Sequence, residues 1–184
     1  MSVLKTIAAA VSLAVTAQSA GWAQSLIRDT EIEHIMRGYA DPIIEAAGLN
    51  PNDVDFYLVA DPEINAFVTG GQNIFMHTGM IVEADTPNQL KGVIAHETGH
   101  ITGAHLARSG DAMSAARAPM FVSLGLGVLA ALAGEGGAAG ALMASSQQFG
   151  ALSFLTYSRA QEASADQAAL QFLEAAGENP EGLV

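Results

Sequence analysis

Residues 92–101 read Gly-Val-Ile-Ala-His-Glu-Thr-Gly-His-Ile and contain an H-E-x-x-H sequence made by His96, Glu97 and His100. Residues four apart on a helix lie about one turn apart on the same face, so both imidazoles can reach one ion. Glu97 is offset by about 100° around the helix, beside the ion, where its carboxylate can take a proton from metal-bound water. Imidazole ligands at this spacing suit zinc. The stretch therefore predicts one Zn²⁺ per chain.

The flanking residues predict a helix over 87–108. Thr86 can act as the N-cap, Pro87 occupies the first helical position and Gln89 completes a capping box. Gly110 follows as a stop signal. A helix with defined ends can hold both histidines rigidly.

A catalytic zinc site usually has a third protein ligand, and the chain contains no cysteine to supply it. His105 misses the metzincin spacing by one residue and would lie about 140° from His100 on a continued helix. We therefore expect His105 to pack near the ligands rather than bind the ion. Asp111 lies too close to the helix end, and Glu135 lies among glycines.

Glu162 and Asp166 are better candidates. They stand four residues apart on a second predicted helix, from near Ser158 to Ala176, and so share one face. One carboxylate can bind the metal while the other accepts an N–H from a ligand histidine. A solvated helix face is the alternative, but little else in that helix is charged, which favours a functional pair.

The remaining elements predict an α+β fold with a small sheet. Residues 26–48 have helical spacing of apolar residues, with a break or kink expected at Pro42. Strands are predicted at 54–59, 66–68 and 73–77.

Residues 119–133 are almost wholly apolar. They fit a membrane contact, a cover over the cleft or a buried helix. The run is shorter than the roughly 20 residues of a spanning helix, and Gly125 and Gly127 weaken it further. We favour a buried or partly mobile helical hairpin, with a flexible break at 134–140.

Composition limits the location and the partners. The formal net charge is -12 with no basic stripe, which argues against nucleic-acid binding. Lys5 and the short apolar run 7–15 predict an export signal cleaved near Ala23. The expected organisation is a signal peptide at 1–23 and a zinc metallopeptidase domain at 24–184, truncated at its C-terminus, with a periplasmic location.

Two motifs together resemble a known family. The run 92–101, followed by Ser-Arg-Ala-Gln-Glu-Ala-Ser-Ala-Asp at 158–166, is similar to the zincin metallopeptidases that include the CAAX prenyl protease, HtpX and the mitochondrial protease Oma1. Segments 65–67, 70–71 and 78–81 resemble the strand-turn-strand part of that family. The resemblance is greatest to the soluble periplasmic, BepA-like members, which carry tetratricopeptide repeats.

The resemblance implies a zincin-like metalloendopeptidase with His96, His100 and Glu162 as zinc ligands, Glu97 as the base and Asp166 beside a ligand histidine. It also implies quality control of periplasmic or outer-membrane proteins, with unfolded or misfolded proteins as substrates. A peripheral contact with a membrane or with outer-membrane assembly machinery is compatible with that role.

Arg159 also matches the second motif. It either stabilises negative charge near the site or holds an acidic helix start in place. An extended substrate is expected to pair with an exposed edge strand, for which an ordinary covered hairpin is the alternative. The strand residues proposed for that contact are Asn73, Ile74, Phe75, Met76 and His77.

In the expected mechanism, zinc lowers the pKa of bound water and polarises the scissile carbonyl, and Glu97 transfers the proton to the leaving amine. One alternative is a chaperone-like binding module with a structural or suppressed zinc site. Another is a zinc hydrolase acting on small molecules or cell-wall peptides. The presence of Glu97 argues against a suppressed site, because a binding module does not need that base.

Overall fold

The computed structural model describes residues 25–183. The predicted export signal, its cleavage near Ala23 and a mature start near Gln24 lie outside the described residues and stay predictions.

A four-stranded mixed sheet forms one side of the fold. Its strands are β1 (Leu26–Ile27), β2 (Asp55–Val59), β3 (Ala66–Thr69) and β4 (Asn73–His77). The spatial order is β1-β2-β4-β3, in which β2 and β4 are parallel and the other pairs are antiparallel. The three predicted strands are confirmed to within a residue at their ends, whereas the two-residue β1 was not predicted.

Five helices accompany the sheet in the described residues. They are α1 (Thr30–Ala46), α2 (Thr78–Glu83), α3 (Pro87–Thr102), α4 (Ser109–Leu132) and α5 (Gly136–Ala175), with 3-10 turns at Pro51–Asp53 and Pro180–Leu183. The predicted α+β class is therefore confirmed.

The core lies between the sheet, α1, α3 and the C-terminal part of α5. Its largest fully buried apolar side chains are Met36, Ile43, Ile44, Val54, Leu58, Val59, Ile74, Met76, Ile94 and Leu173. Because α3 and α5 both contribute to this one core, their relative position is fixed by apolar packing.

Helix α1 begins where Asp29 accepts hydrogen bonds from the backbone amides of Glu31 and Ile32. Pro42 lies inside the helix, so of the predicted break or kink at that position the break is wrong. Ile43 and Ile44, directly after the proline, are completely buried. Their packing keeps the last turn helical although Pro42 donates no backbone hydrogen bond.

Helix α3 begins as predicted, with Gln89 Oε1 accepting from the amides of Asp85 and Thr86. It ends at Thr102 rather than at 108. The reason is a turn in which Ala104 adopts a left-handed conformation with φ of 51°. The six residues after α3 consequently run in turns instead of a last helical turn and a half.

Helices α4 and α5 form a long antiparallel hairpin, which confirms the predicted helical hairpin, but three other predictions for this region are wrong. The break between the helices is short, with Gly134 in a left-handed conformation, and residues 136–140 are helical. Helix α5 begins at Gly136 and not near Ser158. The apolar run 119–133 is not buried: only 11% of the most apolar window of α4 is inside the fold. A 40-residue helix of roughly 60 Å extends past the layer that the sheet can cover.

The core assignment gives a stability prediction within a single helix. Ile44 is fully buried and Ile35 is 46% exposed, and both lie in α1. We expect Ile44→Ala to lower the free energy of unfolding by about 2–5 kcal/mol, because it removes buried methylenes and leaves a cavity. Ile35→Ala, the matched control, should lower the free energy of unfolding by well under half of that amount. Urea denaturation followed by circular dichroism measures both, and equal losses would contradict the assigned core.

Candidate metal centre

Three side chains from two helices converge on one point. His96 and His100 come from α3, and Glu162 comes from α5. The two Nε2 atoms are 3.0 Å apart, and Glu162 Oε2 lies 3.3 Å from His96 Nε2 and 3.5 Å from His100 Nε2. Ligand atoms around tetrahedral zinc are separated by roughly 3.3–3.5 Å, given bond lengths near 2.0–2.2 Å. The observed separations are close to that range, so the donor set fits zinc.

Asp166 lies behind His96, on the side away from this point. Its Oδ1 is 2.8 Å from His96 Nδ1. A hydrogen bond from Nδ1–H to the carboxylate leaves the lone pair on Nε2, directed towards the other two donors. The spacing of four residues along α5 therefore separates two tasks, with Glu162 among the converging donors and Asp166 behind a histidine.

His105 lies behind His100 in the way that Asp166 lies behind His96, next to the Nδ1 atom of the ring. Its Nδ1 is 3.0 Å from His100 Nδ1, and its backbone amide donates to the His100 carbonyl at 3.1 Å. The predicted separation of 140° around the helix is wrong because α3 ends at Thr102, and the turn at Ala104 folds His105 back. If His100 directs the lone pair of Nε2 to a metal, its Nδ1–H must donate to His105 Nδ1. His105 then carries its own proton on Nε2.

Burial favours the neutral imidazoles that this arrangement requires. The partly buried position of His100 lowers the pKa of its ring, against an opposing effect of the Glu162 carboxylate. Burial likewise lowers the pKa of His105. A neutral ring is the form that binds a metal ion or accepts a hydrogen bond.

Glu97 lies beside the converging donors and is 7% exposed. Burial raises the pKa of its carboxyl group to about 7, with His96 acting in the opposite direction and Glu162 in the same one. A bound cation would favour the charged form and lower that pKa. The surroundings of Glu97 thus resemble those of a general base, whose pKa should lie near the working pH.

Two glycines permit this geometry. A Cβ atom on Gly99 would lie 2.7 Å from the carbonyl oxygen and 3.0 Å from the Cα of Ala165 on α5. A Cβ atom on Gly103 would overlap the His105 ring. Gly99 therefore lets α5 approach α3 closely enough for Glu162 to reach the histidines, and Gly103 leaves room for His105. Sequence reasoning assigned neither role, since nothing in the sequence identifies the neighbour of a helical glycine.

The donors open into a cleft flanked by strand β3. A cavity of about 490 Å³ is lined by His96, Glu97 and Asp166 together with Asn65 and Ala66. A second groove, on the side of His100 and His105, is lined by Ala66, Phe67 and Val68. Residues of β3 consequently line both grooves beside the donors.

The prediction that Asn73–His77 forms an exposed edge strand is wrong. This strand, β4, lies inside the sheet between β2 and β3, and the edge beside the donors is Ala66–Thr69. The sequence predicts a hairpin of two strands but does not say which of them pairs with β2. The proposed contact residues Ile74, Met76 and His77 are buried, whereas Asn73 and Phe75 are half-buried.

His77 lies at the end of β4 and is 1% exposed. Neither ring nitrogen has a hydrogen-bond partner among the described residues, and the nearest carboxylate oxygen, Asp61 Oδ1, is 3.8 Å from Nδ1. Phe67 of β3 packs edge-on against the ring. His77 is thus part of the interior beneath β3 rather than a surface for substrate.

Arg159 lies on an exposed part of α5, one turn before Glu162. Within the described residues it forms no ion pair and lines neither of the two grooves at the donors. Arg159 therefore makes no contact that supports either expected role, which were to stabilise negative charge near the site and to hold an acidic helix start in place.

The fold and the donors together describe an α+β domain with a two-histidine, one-glutamate site on two crossing helices. A family model for peptidase family M48 matches residues 4–184. The chain belongs to peptidase family M48, which confirms the family that the two motifs resemble.

Curated relatives carry related names. The chain is 31% identical over 158 residues to a putative beta-barrel assembly-enhancing protease of Vibrio cholerae, covering 84% of this chain and 32% of the relative. Beta-barrel assembly-enhancing proteases of Yersinia pestis and Escherichia coli K12 are 28% and 29% identical, each over 86% of this chain and 32% of the relative. The chain spans about a third of the length of these relatives.

The close contact at Gly99 gives a prediction about metal affinity. We expect Gly99→Ala to push α5 away and to weaken zinc binding at least tenfold, because Glu162 then no longer reaches the histidines. Gly38→Ala is the matched control, since a methyl group there meets nothing within 4 Å. Competition with a fluorescent zinc chelator measures both affinities. Unchanged zinc affinity in folded Gly99→Ala protein would show that the contact does not position Glu162.

Proposed function

We propose that this chain is the catalytic domain of a zinc-dependent metalloendopeptidase. The observation that carries the proposal is the convergence of His96, His100 and Glu162, with the buried carboxylate of Glu97 beside them. Three ligands leave one coordination position for water or substrate, as catalytic zinc sites require. Membership of peptidase family M48 agrees with this reaction class.

The ligand roles follow from the chemistry of the donors. His96, His100 and Glu162 would hold the ion, which supplies Lewis acidity to the scissile carbonyl and the attacking water when bound. Asp166 and His105 each hold one ligand imidazole in the tautomer that directs Nε2 to the ion. The two partners differ in kind, since His96 is held by a carboxylate and His100 by another imidazole.

Glu97 is the proposed base. Its carboxylate takes a proton from the attacking water and later delivers that proton to the leaving amine. Burial favours the first transfer, because a carboxylate whose acid form has a raised pKa is a better base than an exposed glutamate. The same residue disfavours the alternative of a chaperone-like module with a suppressed site, which gains nothing from a buried acid beside its ligands.

The substrate is proposed to bind as an extended segment along β3. Within residues 25–183, Ala66–Thr69 pair with β4 on one side only, and their outer edge faces the grooves at the donors. Backbone hydrogen bonds to an edge strand supply affinity that does not depend on the side chains of the substrate, which suits unfolded polypeptides of varied sequence. The substrate contact expected on β4 is accordingly moved to its neighbour β3.

The proposed setting is the periplasm, after cleavage near Ala23, with misfolded envelope proteins as substrates. Support comes from the predicted export signal and from relatives named beta-barrel assembly-enhancing proteases. Those names describe proteins about three times as long as this chain.

The role of Glu97 is tested by an isosteric change. We expect Glu97→Gln to retain zinc but to lose about 10²–10⁴-fold in cleavage of an unfolded protein, which is the usual contribution of a general base. Glu174→Gln, an exposed change on α5, is the control and should leave the rate unchanged. Zinc content is measured alongside the rate. Cleavage by Glu97→Gln at the wild-type rate would contradict the role of Glu97 as the base. If a chelator does not change the cleavage rate of the wild-type protein, the metallopeptidase proposal is wrong.

The ligand roles predict an order of zinc affinities. Glu162→Ala should largely empty the site, because it removes a ligand. Asp166→Asn and His105→Ala should each weaken binding about 10–100-fold and leave some zinc, as is typical when the partner of a ligand is lost. His34→Ala, an exposed histidine on α1, should have no effect. Calorimetric zinc titration orders the four variants, and retention by Glu162→Ala together with complete loss in His105→Ala would reverse the assignment.

A further inference from the structure

The hairpin of α4 and α5 has a tip that is almost free of charge. From Ala118 to Phe149, which we call the hairpin tip, Glu135 is the only Asp, Glu, Lys or Arg residue. The zinc centre uses none of this segment. A stretch of this composition in a folded protein is normally buried, because exposed apolar surface costs free energy in water.

The large side chains of the tip are nevertheless exposed. The exposed fractions reach 62% for Phe121, Val122 and Leu129 and 80% for Leu132. Phe121 and Val122 are adjacent in sequence, so they point about 100° apart around the helix. A protein groove would take a helix with one apolar stripe, whereas apolar residues on several faces fit an apolar solvent.

The length of the apolar part of α4 suits a lipid bilayer. Residues Met113–Leu132 are 20 residues long and apolar enough to cross a membrane. Fifteen of these residues, 118–132, belong to the tip, and at 1.5 Å per residue they extend roughly 22 Å, which is most of the roughly 30 Å of the hydrocarbon core and leaves Arg117 outside it. A soluble core helix or an export signal can also be long and apolar. This helix is neither, since 11% of the window is buried and the window begins more than 100 residues into the chain.

The three serines of the tip, Ser123, Ser145 and Ser146, each hydrogen-bond to a backbone carbonyl within the hairpin, as a lipid environment favours. Ser123 Oγ donates to the Leu142 carbonyl of the opposite helix at 2.7 Å, and Ser146 Oγ donates to the Met143 carbonyl at 2.7 Å. The two helices also approach closely at small residues. A Cβ atom on Gly127 would lie 2.9 Å from the Met143 side chain. Interhelical serine bonds and small residues at the contact are the usual means of helix association in lipid.

Basic residues follow where the almost charge-free tip ends. Arg117 directly precedes the tip on α4, and Gln147 lines the same groove as Arg117. Arg108 and Arg159 lie at the base of the hairpin, where Tyr157 Oη is 3.4 Å from the Arg108 carbonyl. Arginine and tyrosine at this level suit lipid headgroups. Three of the seven basic residues of the chain, Arg108, Arg117 and Arg159, thus stand at this end of the hairpin, together with the acidic Asp111 and Glu162.

We propose that the hairpin tip inserts into a lipid bilayer, with Arg117 at the headgroups of anionic lipids. Glu162 lies on α5 only 13 residues beyond the tip, so insertion holds the zinc centre close to the membrane surface. Only that consequence rests on the proposed peptidase function. Insertion itself depends on the surface of the hairpin and can be measured without zinc.

The first test is flotation of the full chain with vesicles of phosphatidylcholine and phosphatidylglycerol. Wild-type protein should float with the vesicles. Leu132→Glu should weaken binding tenfold or more, because it places a second charge at the tip. Val82→Glu is the matched control, since Val82 is 78% exposed but lies on α2, and it should bind as wild type. Glu135→Gln should bind more tightly, and Arg117→Gln should lose about fivefold on anionic vesicles only.

The second test locates the tip. The chain has no cysteine, so Leu132→Cys and Val82→Cys can each carry one environment-sensitive fluorophore. Vesicles should shift the Leu132→Cys emission to the blue and leave the Val82→Cys emission unchanged. Wild-type protein that stays in solution, or equal effects of the glutamate changes at 132 and 82, would overturn the proposal. So would a dimer that Leu132→Glu dissociates without any vesicle binding.

Cleavage of a soluble unfolded protein separates this proposal from the peptidase function. Leu132→Glu should cleave such a substrate at the wild-type rate, while Glu97→Gln should float normally. A loss of flotation in Leu132→Glu with full cleavage supports insertion. A wild-type chain that floats but cleaves nothing refutes the peptidase proposal and leaves insertion standing.

Discussion

The candidate metal centre depends on how closely two helices pack. His96 and His100 are fixed by α3, but Glu162 reaches them only because α5 crosses α3 where Gly99 has no side chain and Ala165 is fully buried. Leu173 and Ile94 pack in the same core, so apolar burial holds the crossing at a fixed distance. Apolar packing in the core therefore sets the geometry of the site. Attraction among the polar groups of the site cannot set it alone, because groups that carry charges of like sign repel each other.

Much of this could be predicted from the sequence. The spacing of His96, Glu97 and His100 fixes their relative positions on any helix, and the pair Glu162 and Asp166 belongs to one helical face for the same reason. These inferences are local and need only a regular helix. The strands and the α+β class followed from alternation and turn residues, which are local signals too.

The errors lie where tertiary contacts decide. Ala104 adopts a left-handed conformation that its residue type disfavours, so the helix ends early and His105 folds back onto His100. The order β1-β2-β4-β3 follows from which hairpin strand pairs with β2, a choice the alternation of residues does not encode. The composition of 119–133 favours a buried or partly mobile hairpin, but α5 carries α4 beyond the sheet. Composition measures the preference of a segment for an apolar environment, and here the fold does not provide that environment.

The proposed function requires that one ion is held by two imidazoles from α3 and one carboxylate from α5. Crystals of the zinc-loaded full chain, measured on both sides of the zinc absorption edge, show whether this arrangement forms. We expect a single anomalous peak within about 2.0–2.2 Å of His96 Nε2, His100 Nε2 and a Glu162 carboxylate oxygen. A peak bound by His105 in place of Glu162, or a peak away from α3, would contradict it.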